Sequence, residues 1–363
     1  MNKEMLERSD TDGEFVEPFS SDSIESLEIQ KEKRIYSLCI IFLPILIIIL
    51  LLSIVVYFLL KEPLKENEKN IEKYNFTIIE KISVISNSSN AVYFFNEHFT
   101  KLDKFSVSLT INNKTFKIYE NFYYFKKIGI YSVVISFFKK LDTMQDMFNH
   151  CFNIIELDLS GIDTSEVRSM KHAFDGCLRL KKINLGNFNT SLVTDMSYMF
   201  YDCHSLTSLN LNNFSTSLVQ DMSYMFANSS NLEYINISNF NTENVFKMEY
   251  MFYQCNLSSL DVSNFNTEKV FKMEYMFSSC GILSSLNLGN FNTKEVVDFS
   301  GIFKGNKFLK FLDIHNFDTT KMNSYNDVFL DLPEKGNIIV SSHKTSALIL
   351  NQIPSYWNMT YRD

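Results

Sequence analysis

The chain has 363 residues, with 34 Lys and Arg against 42 Asp and Glu, so its formal net charge is −8. This acidic balance gives no basic face for nucleic acid and argues against that class of partner. Hydrophobic residues make up 45% of the chain, enough for a sizeable buried core.

The first segment, residues 1–34, is acidic, with 5 Lys and Arg against 10 Asp and Glu. It lacks any apolar period, and low hydrophobicity with high charge is typical of disordered chains. We therefore predict a disordered tail. It is either a solvated leader into the next segment or the carrier of a trafficking signal or phosphosite.

Residues 35–60 contain no charged side chain and are almost wholly apolar. At 1.5 Å per residue such a helix is about 39 Å long, against a bilayer hydrocarbon thickness of about 30 Å. We predict a single transmembrane helix. Lysines flank it on both sides, so the flanking charges do not decide its orientation.

The segment after the predicted span has two parts. Residues 61–74, rich in Lys, Glu and Asn, are predicted to form a short stalk. Residues 75–140 contain runs with strand-like alternation, and Asn112-Asn113 is predicted to form a hairpin turn between two of them. We predict a small β-rich module that caps the N-terminal end of the region that follows.

Residues 141–330 repeat with a step of 26 residues, shortened once to 25 after Cys255. A fixed period of this length indicates a solenoid. The repeated phenylalanine occupies Phe148, Phe174, Phe200, Phe226, Phe252, Phe277, Phe303 and Phe329. A threonine keeps the same step at Thr164, Thr190, Thr216, Thr242, Thr267, Thr293 and Thr319.

One copy shows the expected coil. Residues 206–214 have the apolar spacing L-x-x-L-x-L-x-x-F, in which alternating leucines predict a half-buried strand. The next apolar residues follow helical spacing: Val219, Met222 and Phe226. We therefore predict an α/β solenoid, a leucine-rich-repeat-like stack of about seven coils, each with a strand and a short helical return. Stacked coils need capped ends, and we assign residues 331–363 to the C-terminal cap.

Cysteines follow the repeat, at Cys151, Cys177, Cys203, Cys255 and Cys280, with Ser229 and Asn306 at the same position in other copies. Two interpretations are open. Because adjacent coils lie about 4.8 Å apart, the pairs Cys177–Cys203 or Cys255–Cys280 could form disulfides. Alternatively, the cysteines form a ladder of buried thiols that pack as small apolar groups.

Nine N-x-Ser/Thr sequons follow the predicted span and are candidate N-glycosylation sites. Because Asn, Ser and Thr are abundant here, their number is weak support for glycosylation. They are Asn75, Asn87, Asn113, Asn189, Asn213, Asn228, Asn236, Asn256 and Asn358.

Copies such as residues 185–203 and 209–226 resemble the BspA-type leucine-rich repeat surface proteins, whose unit reads roughly L-x-L-S-x-F-[ND]-T-x-x-V-x-x-M-x-x-M-F-x-x-C-x-x-L. The resemblance covers about residues 141–330, and the first and last copies depart from it. It implies a cell-surface protein of bacteria or protists, of a kind often credited with adhesion. On this basis we expect a single-pass plasma-membrane protein with a cytosolic N-terminus and extracellular repeats.

Outward side chains of the stacked strands form the expected binding face. One column is uniform: Asp158, Asn184, Asn210, Asn236, Asp261, Asn287 and Asp313. Its neighbour is varied, as selectivity would require: Glu156, Lys182, Ser208, Tyr234, Ser259, Ser285 and Phe311. The alternative for the uniform column is that its side chains only solvate the strands and hydrogen-bond along the stack.

Catalytic signatures are missing from the sequence, which has no Gly-rich phosphate loop, no G-x-S-x-G elbow and no H-E-x-x-H pattern. The sequence predicts no enzyme, no metal and no cofactor. We expect a membrane-anchored surface protein that binds a protein or glycan partner through the solenoid face. The alternatives are a structural coat or spacer protein without a selective ligand, and an internal membrane scaffold with cytosolic repeats.

Overall fold

The computed structural model describes residues 76–84, 91–96, 107–111, 113–117, 122–137 and 140–362. The predicted tail, span and stalk, residues 1–74, lie outside them. Within the described ranges no helix is both long and apolar enough to cross a membrane. The predicted transmembrane helix, residues 35–60, falls outside the described residues, and nothing in the described ranges supports the single-pass plasma-membrane localisation that depends on it.

The segment before the repeats forms antiparallel strands. β1 pairs with β6 over their whole lengths, and β6 also pairs with β3, which forms a hairpin with β4 around Asn113. A separate two-stranded sheet joins β2 to β5. The strands are β1 (Phe76–Val84), β2 (Ala91–Tyr93), β3 (Val107–Ile111), β4 (Lys114–Lys117), β5 (Phe122–Tyr124) and β6 (Gly129–Phe137). The β-rich prediction for this segment agrees with these strands.

The second edge of β1 pairs antiparallel with β7 (Ile154–Gly161), the first strand of the repeats. β7 in turn pairs in parallel with β8 (Lys182–Asn184). The result is one six-stranded sheet in the order β4-β3-β6-β1-β7-β8, which runs from the N-terminal segment into the solenoid without a break.

The remaining repeat strands are short and parallel. They are β9 (Ser208–Asn210), β10 (Tyr234–Asn236), β11 (Ser285–Asn287) and β12 (Phe311–Asp313), followed by β13 (Asn337–Val340) and β14 (Asn358–Tyr361). No strand is formed at residues 258–261, in the coil with the shortened step, so the ladder divides there into β9-β10 and β11-β12-β13-β14. The predicted strand positions are otherwise confirmed.

Ladders of identical side chains fill the core. The eight repeated phenylalanines are all buried, and neighbouring rings stack with centroids 5.1 to 6.3 Å apart. A second buried ladder includes Phe265, Phe291 and Phe317, with centroids 6.4 Å apart. Since each ring covers the ring of the next coil, no coil buries its apolar groups alone.

The predicted helical returns are wrong. Val219, Met222 and Phe226 do point inward, but the return consists of successive turns with two residues of positive φ per coil, such as Tyr198 (59°) and Asp202 (58°). Their backbone groups bond to the next coil, as in Phe200 N–H to Met225 O at 2.8 Å, and not to residue i−4. The described residues contain one short helix, α1 (Ala347–Leu350), so the fold is a β-solenoid of about seven turns and not α/β.

Candidate functional site

A cavity of about 790 Å³ lies where β1 meets the first two repeat strands. We call it the junction cavity. β1 and β6 contribute Ile79, Glu80, Lys81, Ile130 and Ser132, and the repeats contribute Glu156, Leu157, Asp158, Lys182, Ile183 and Asn184. Four of the fourteen residues in the two predicted columns therefore lie together here: Glu156, Asp158, Lys182 and Asn184.

Strand register determines which charged side chains lie next to one another in the junction cavity. Lys81 lies opposite Glu156 in the β1–β7 pair, and its Nζ donates to Glu156 Oε1 at 2.8 Å. This hydrogen bond is the main cause of the lowered pKa of the Glu156 carboxyl group. Lys182 lies beside Glu156 on β8 and is exposed, without an ion-pair partner in the described part of the chain. The cavity thus offers one unpaired ammonium group next to an occupied ion pair.

The uniform Asn/Asp column has a structural role. Asp158 Oδ1 accepts the Ser160 N–H at 2.9 Å and the Asn184 amide at 3.0 Å, and Asn184 Oδ1 accepts the Gly186 N–H at 3.1 Å. The same turn, from the side chain to the N–H two residues on, recurs at Asn210, Asn236, Asp261, Asn287 and Asp313. Asn and Asp are favoured for this bond, which ends each strand. The column keeps one oxygen occupied locally, and the bond from Asn184 to Asp158 runs along the stack in the way that the alternative interpretation expected.

Two isoleucines of the junction cavity were missed by sequence reasoning. Ile79 is 46% exposed and Ile130 is 63% exposed, and both lie on the cavity side of their strands. Alternation in β1 identifies Ile79 as facing away from Ile78 and Glu80, but nothing in the sequence shows that β1 pairs with β7. A β-branched apolar side chain exposed in a cavity offers contact area to a partner.

The other predicted face residues do not join this cavity. Tyr234 is 55% exposed on β10, and Phe311 is half-buried on β12. Asp313 is buried and accepts a hydrogen bond from its neighbour His315, whose Nδ1 lies 2.7 Å from Asp313 Oδ1. Asn210 on β9, Asn287 on β11 and Asp261 in the coil without a strand are exposed. None of these side chains lines the junction cavity.

A column of stacked rings on the returns was also missed. His172, Tyr198, Tyr224, Tyr250 and Tyr275 lie half-buried with neighbouring ring centroids 4.5 to 4.8 Å apart. Partial burial raises the pKa of Tyr250 to about 12. Its members recur with the step of the repeat, so the period of the sequence is the signal that could have found them.

The repeat cysteines are free, buried thiols. Cys177, Cys203, Cys255 and Cys280 each lie within hydrogen-bonding distance of a phenylalanine carbonyl in the preceding coil, at 3.0 to 3.3 Å. Burial raises the pKa of all four thiols, which keeps them protonated as donors.

Ser229 Oγ and Asn306 Nδ2 donate to the equivalent carbonyls at 2.8 and 2.7 Å. The shared requirement for a donor explains the Cys, Ser and Asn pattern. The structure therefore shows the thiol ladder and neither of the candidate disulfides.

The sequons differ in how they are presented. Asn113, Asn189, Asn213 and Asn358 are exposed, and Asn228, Asn236 and Asn256 are half-buried. Asn228 Nδ2 donates to Tyr201 Oη at 2.8 Å, so its amide is engaged. Asn75 and Asn87 lie outside the described residues. Across the described ranges no group of three or more His, Cys, Asp or Glu side chains is placed to hold a metal ion.

Comparison with known proteins gives one match. A family model described as "Mycoplasma protein of unknown function, DUF285" matches residues 142–256 and 228–341, which together span more than half of the chain. No curated protein and no solved structure matches it.

Proposed function

The chain belongs to the DUF285 family, and we propose that it is a binding protein that holds a protein partner in the junction cavity. The observation that carries the proposal is the convergence of Lys182 and Glu156 with the exposed Ile79 and Ile130. Apolar contact area next to a few charged groups is typical of protein interfaces. No chemical reaction forms part of this function.

A protein fits the cavity better than a glycan. Its two exposed apolar side chains are aliphatic, and no aromatic ring lines it, so it has no platform on which a sugar ring could stack. Lys182 supplies an unpaired cation that can meet a carboxylate of the partner, and such charges contribute to orientation and association rate. A glycan partner remains the second candidate ligand.

We also propose that the repeats are of the BspA-type leucine-rich repeat kind. The inward phenylalanines, methionines and cysteines and the outward strand residues occupy the positions that this pattern gives them. The resemblance supports adhesion or recognition as the use to which the partner binding is put.

A spacer without a selective ligand is the competing function. It is favoured by ion pairs that join neighbouring coils on the surface, such as Lys247–Asp221 at 2.8 Å and Lys294–Glu268 at 2.8 Å. Such pairs contribute little stability individually, but they occupy charges that a partner could otherwise use. Under this function the strand face would bind nothing selectively.

An array test separates the two functions. The full-length protein is applied to printed purified proteins and printed glycans, and saturable binding is compared with that of the double variant Ile130→Asp/Lys182→Ser. Serine is the residue of the next coil at this position, Ser208, so Lys182→Ser keeps the fold. Lys181→Ser is the matched control, since Lys181 is exposed and carries the same charge but does not line the cavity.

The proposal is supported if the wild-type chain and the Lys181→Ser control bind a printed protein and the double variant does not. Binding only to printed glycans would show that the partner is a glycan and not a protein. If both variants keep saturable binding, the binding site lies outside the junction cavity. Self-association without any other binding would support the spacer function.

A further inference from the structure

A second cavity, of about 700 Å³, lies at the other end of the solenoid. We call it the terminal cavity. It is lined by Lys310, Glu334, Lys335, Gly336, Asn337, Tyr356 and Asn358, none of which belongs to the ligand face predicted from the sequence. We propose that the terminal cavity binds an acidic saccharide, with the lysines on its carboxylate, the amides on its hydroxyls and Tyr356 against its ring.

The lining is held in place by backbone hydrogen bonds between successive coils. Lys310 N–H donates to Ser284 O, Asn337 N–H to Lys310 O and Asn358 N–H to Gly336 O, each at 2.8 Å. Three consecutive coils therefore each place at least one polar side chain at the cavity. A set of groups fixed in this way loses little conformational freedom on binding a ligand.

The floor of the cavity is rigid. Gly336 has no room for a Cβ atom, because the Trp357 indole would lie 2.5 Å from it. The indole N–H is fixed in turn by a hydrogen bond to Pro333 O at 2.9 Å. The ring thus packs directly under the backbone that lines the cavity, and Trp357 is the one tryptophan of the sequence.

The charge of the cavity favours an anion. Lys310 and Lys335 are exposed, and neither has an ion-pair partner among the residues that the structure describes. Glu334 is the one acidic residue in the lining, so the lining has a net charge of about +1 at neutral pH from the ordinary charge states of these groups. A carboxylate placed between the two ammonium groups would gain charge-assisted hydrogen bonds.

The uncharged groups favour a sugar over a simple anion. Asn358 Nδ2 donates to Asn337 Oδ1 at 3.2 Å, which leaves Asn337 Nδ2 as a donor and Asn358 Oδ1 as an acceptor for a ligand. A donor and an acceptor side by side match the hydroxyl groups of a saccharide. Tyr356 is 54% exposed, so its ring offers an apolar surface with a polar tip. The junction cavity has no equivalent ring, which distinguishes the two sites.

Trp357 fluorescence provides the test. The full-length protein, produced in a host that does not N-glycosylate Asn358, is titrated with a galacturonic acid trisaccharide, a neutral galactose trisaccharide and a glutamate hexapeptide. We expect saturable change with the acidic saccharide and at least tenfold weaker binding of the neutral saccharide and the peptide. Lys310→Ser, which copies Ser284 of the preceding coil, and Tyr356→Ser should each weaken binding at least fivefold.

Lys307→Ser is the matched control, because Lys307 is an exposed lysine of the same coil that does not line the cavity. It should bind as the wild-type chain does, and equal thermal unfolding midpoints would show that all variants are folded. Equal binding of the peptide would identify a site for acidic protein, and absence of saturable binding would overturn the proposal. The array result for the junction cavity does not enter this test, so each site can fail alone.

Discussion

The hydroxyl group of Thr190 makes two hydrogen bonds with one residue of the next coil, Ser215. Its Oγ1 donates to Ser215 O at 2.8 Å and accepts the Ser215 N–H at 2.8 Å. The same pair of bonds joins Thr164 to Asn189 and Thr216 to Asn241, and it recurs along the stack. These threonines are at most 4% exposed, so one end of each bond is buried. The repeated threonine therefore connects each coil to its successor.

Replacing Thr190 by valine tests this connection. Valine has nearly the same shape as threonine, but it leaves the Ser215 N–H and C=O without a hydrogen-bond partner. A buried backbone group that is left unpaired costs about 1–3 kcal/mol. We therefore expect the free energy of unfolding of Thr190→Val, measured in urea, to be lower than that of the wild-type chain by at least the cost of one such group, about 1–3 kcal/mol. Thr190→Ser keeps the hydroxyl and loses one methyl group, about 0.8 kcal/mol. Equal losses for the two variants would show that the hydroxyl is not needed.

Cys203 provides a second test of contacts between coils. Its Sγ lies 3.2 Å from Phe174 O, where Ser229 of the next coil places a hydroxyl on Phe200 O. Cys203→Ser should therefore keep the hydrogen bond, and Cys203→Val should lose it, at a cost of about 0.5–1.5 kcal/mol, since Phe174 O keeps the Cys177 N–H as a donor. The two free energies of unfolding, measured under reducing conditions, should differ accordingly. A valine variant as stable as the serine variant would contradict the requirement for a donor.

The buried Glu80 predicts a dependence of stability on pH. Its two carboxylate oxygens have no hydrogen-bond partner, and burial raises the pKa of its carboxyl group well above the ordinary range. A carboxyl group with a raised folded-state pKa supports folding at low pH and loses that support as pH rises through the folded value. Glu80→Met should therefore gain stability relative to the wild-type chain as pH increases.

The measurement is urea unfolding of both chains from pH 4 to pH 9. The free energy of unfolding of Glu80→Met relative to that of the wild-type chain should be lowest at pH 4 and highest at pH 9. Glu80→Gln, which cannot ionise but stays polar, separates charge from polarity. Parallel pH profiles for wild type and Glu80→Met would mean that the carboxyl group is not buried as described.

Gly301 ends the ring column of the returns and predicts a fourth stability effect. Its φ is +60°, and a Cβ atom there would lie 2.2 Å from the Tyr275 ring. Gly301→Ala should cost at least about 1–2 kcal/mol from the left-handed conformation alone, with the clash in addition. Gly186→Ala is the control, because the nearest atom to its Cβ would be 3.3 Å away, on the Asn184 side chain. Similar thermal unfolding midpoints for the two variants would contradict the stacked geometry.

The repeat made much of the solenoid predictable. Inward residues such as Phe200 and Thr190 recur at a fixed step, and alternation around Leu209 located the strand β9 correctly. The returns were mispredicted because Tyr198 and Asp202 adopt positive φ without being glycine, and because the partners of their neighbours lie in the next coil. A single coil read alone offers helical spacing and no sign of either fact.

The candidate site was only half predictable. Glu156 and Lys182 followed from the outward positions of the strands, whereas Ile130 and Lys81 reach the same cavity through a pairing between distant segments. Antiparallel addition of β1 to β7 has no local signature, since both edges of a short amphipathic strand look alike in sequence. The chemistry of the terminal cavity depends similarly on three coils brought into register.

Cross-linking from inside the junction cavity tests the central claim most directly. A photoreactive amino acid is placed at Lys182 in one full-length chain and at Lys181 in another, and each is irradiated with the protein that the array identifies. The account predicts a covalent adduct from position 182, mapped by mass spectrometry, and at most a weak adduct from position 181. Equal adducts from both positions, or an adduct from position 181 alone, would contradict binding in the junction cavity.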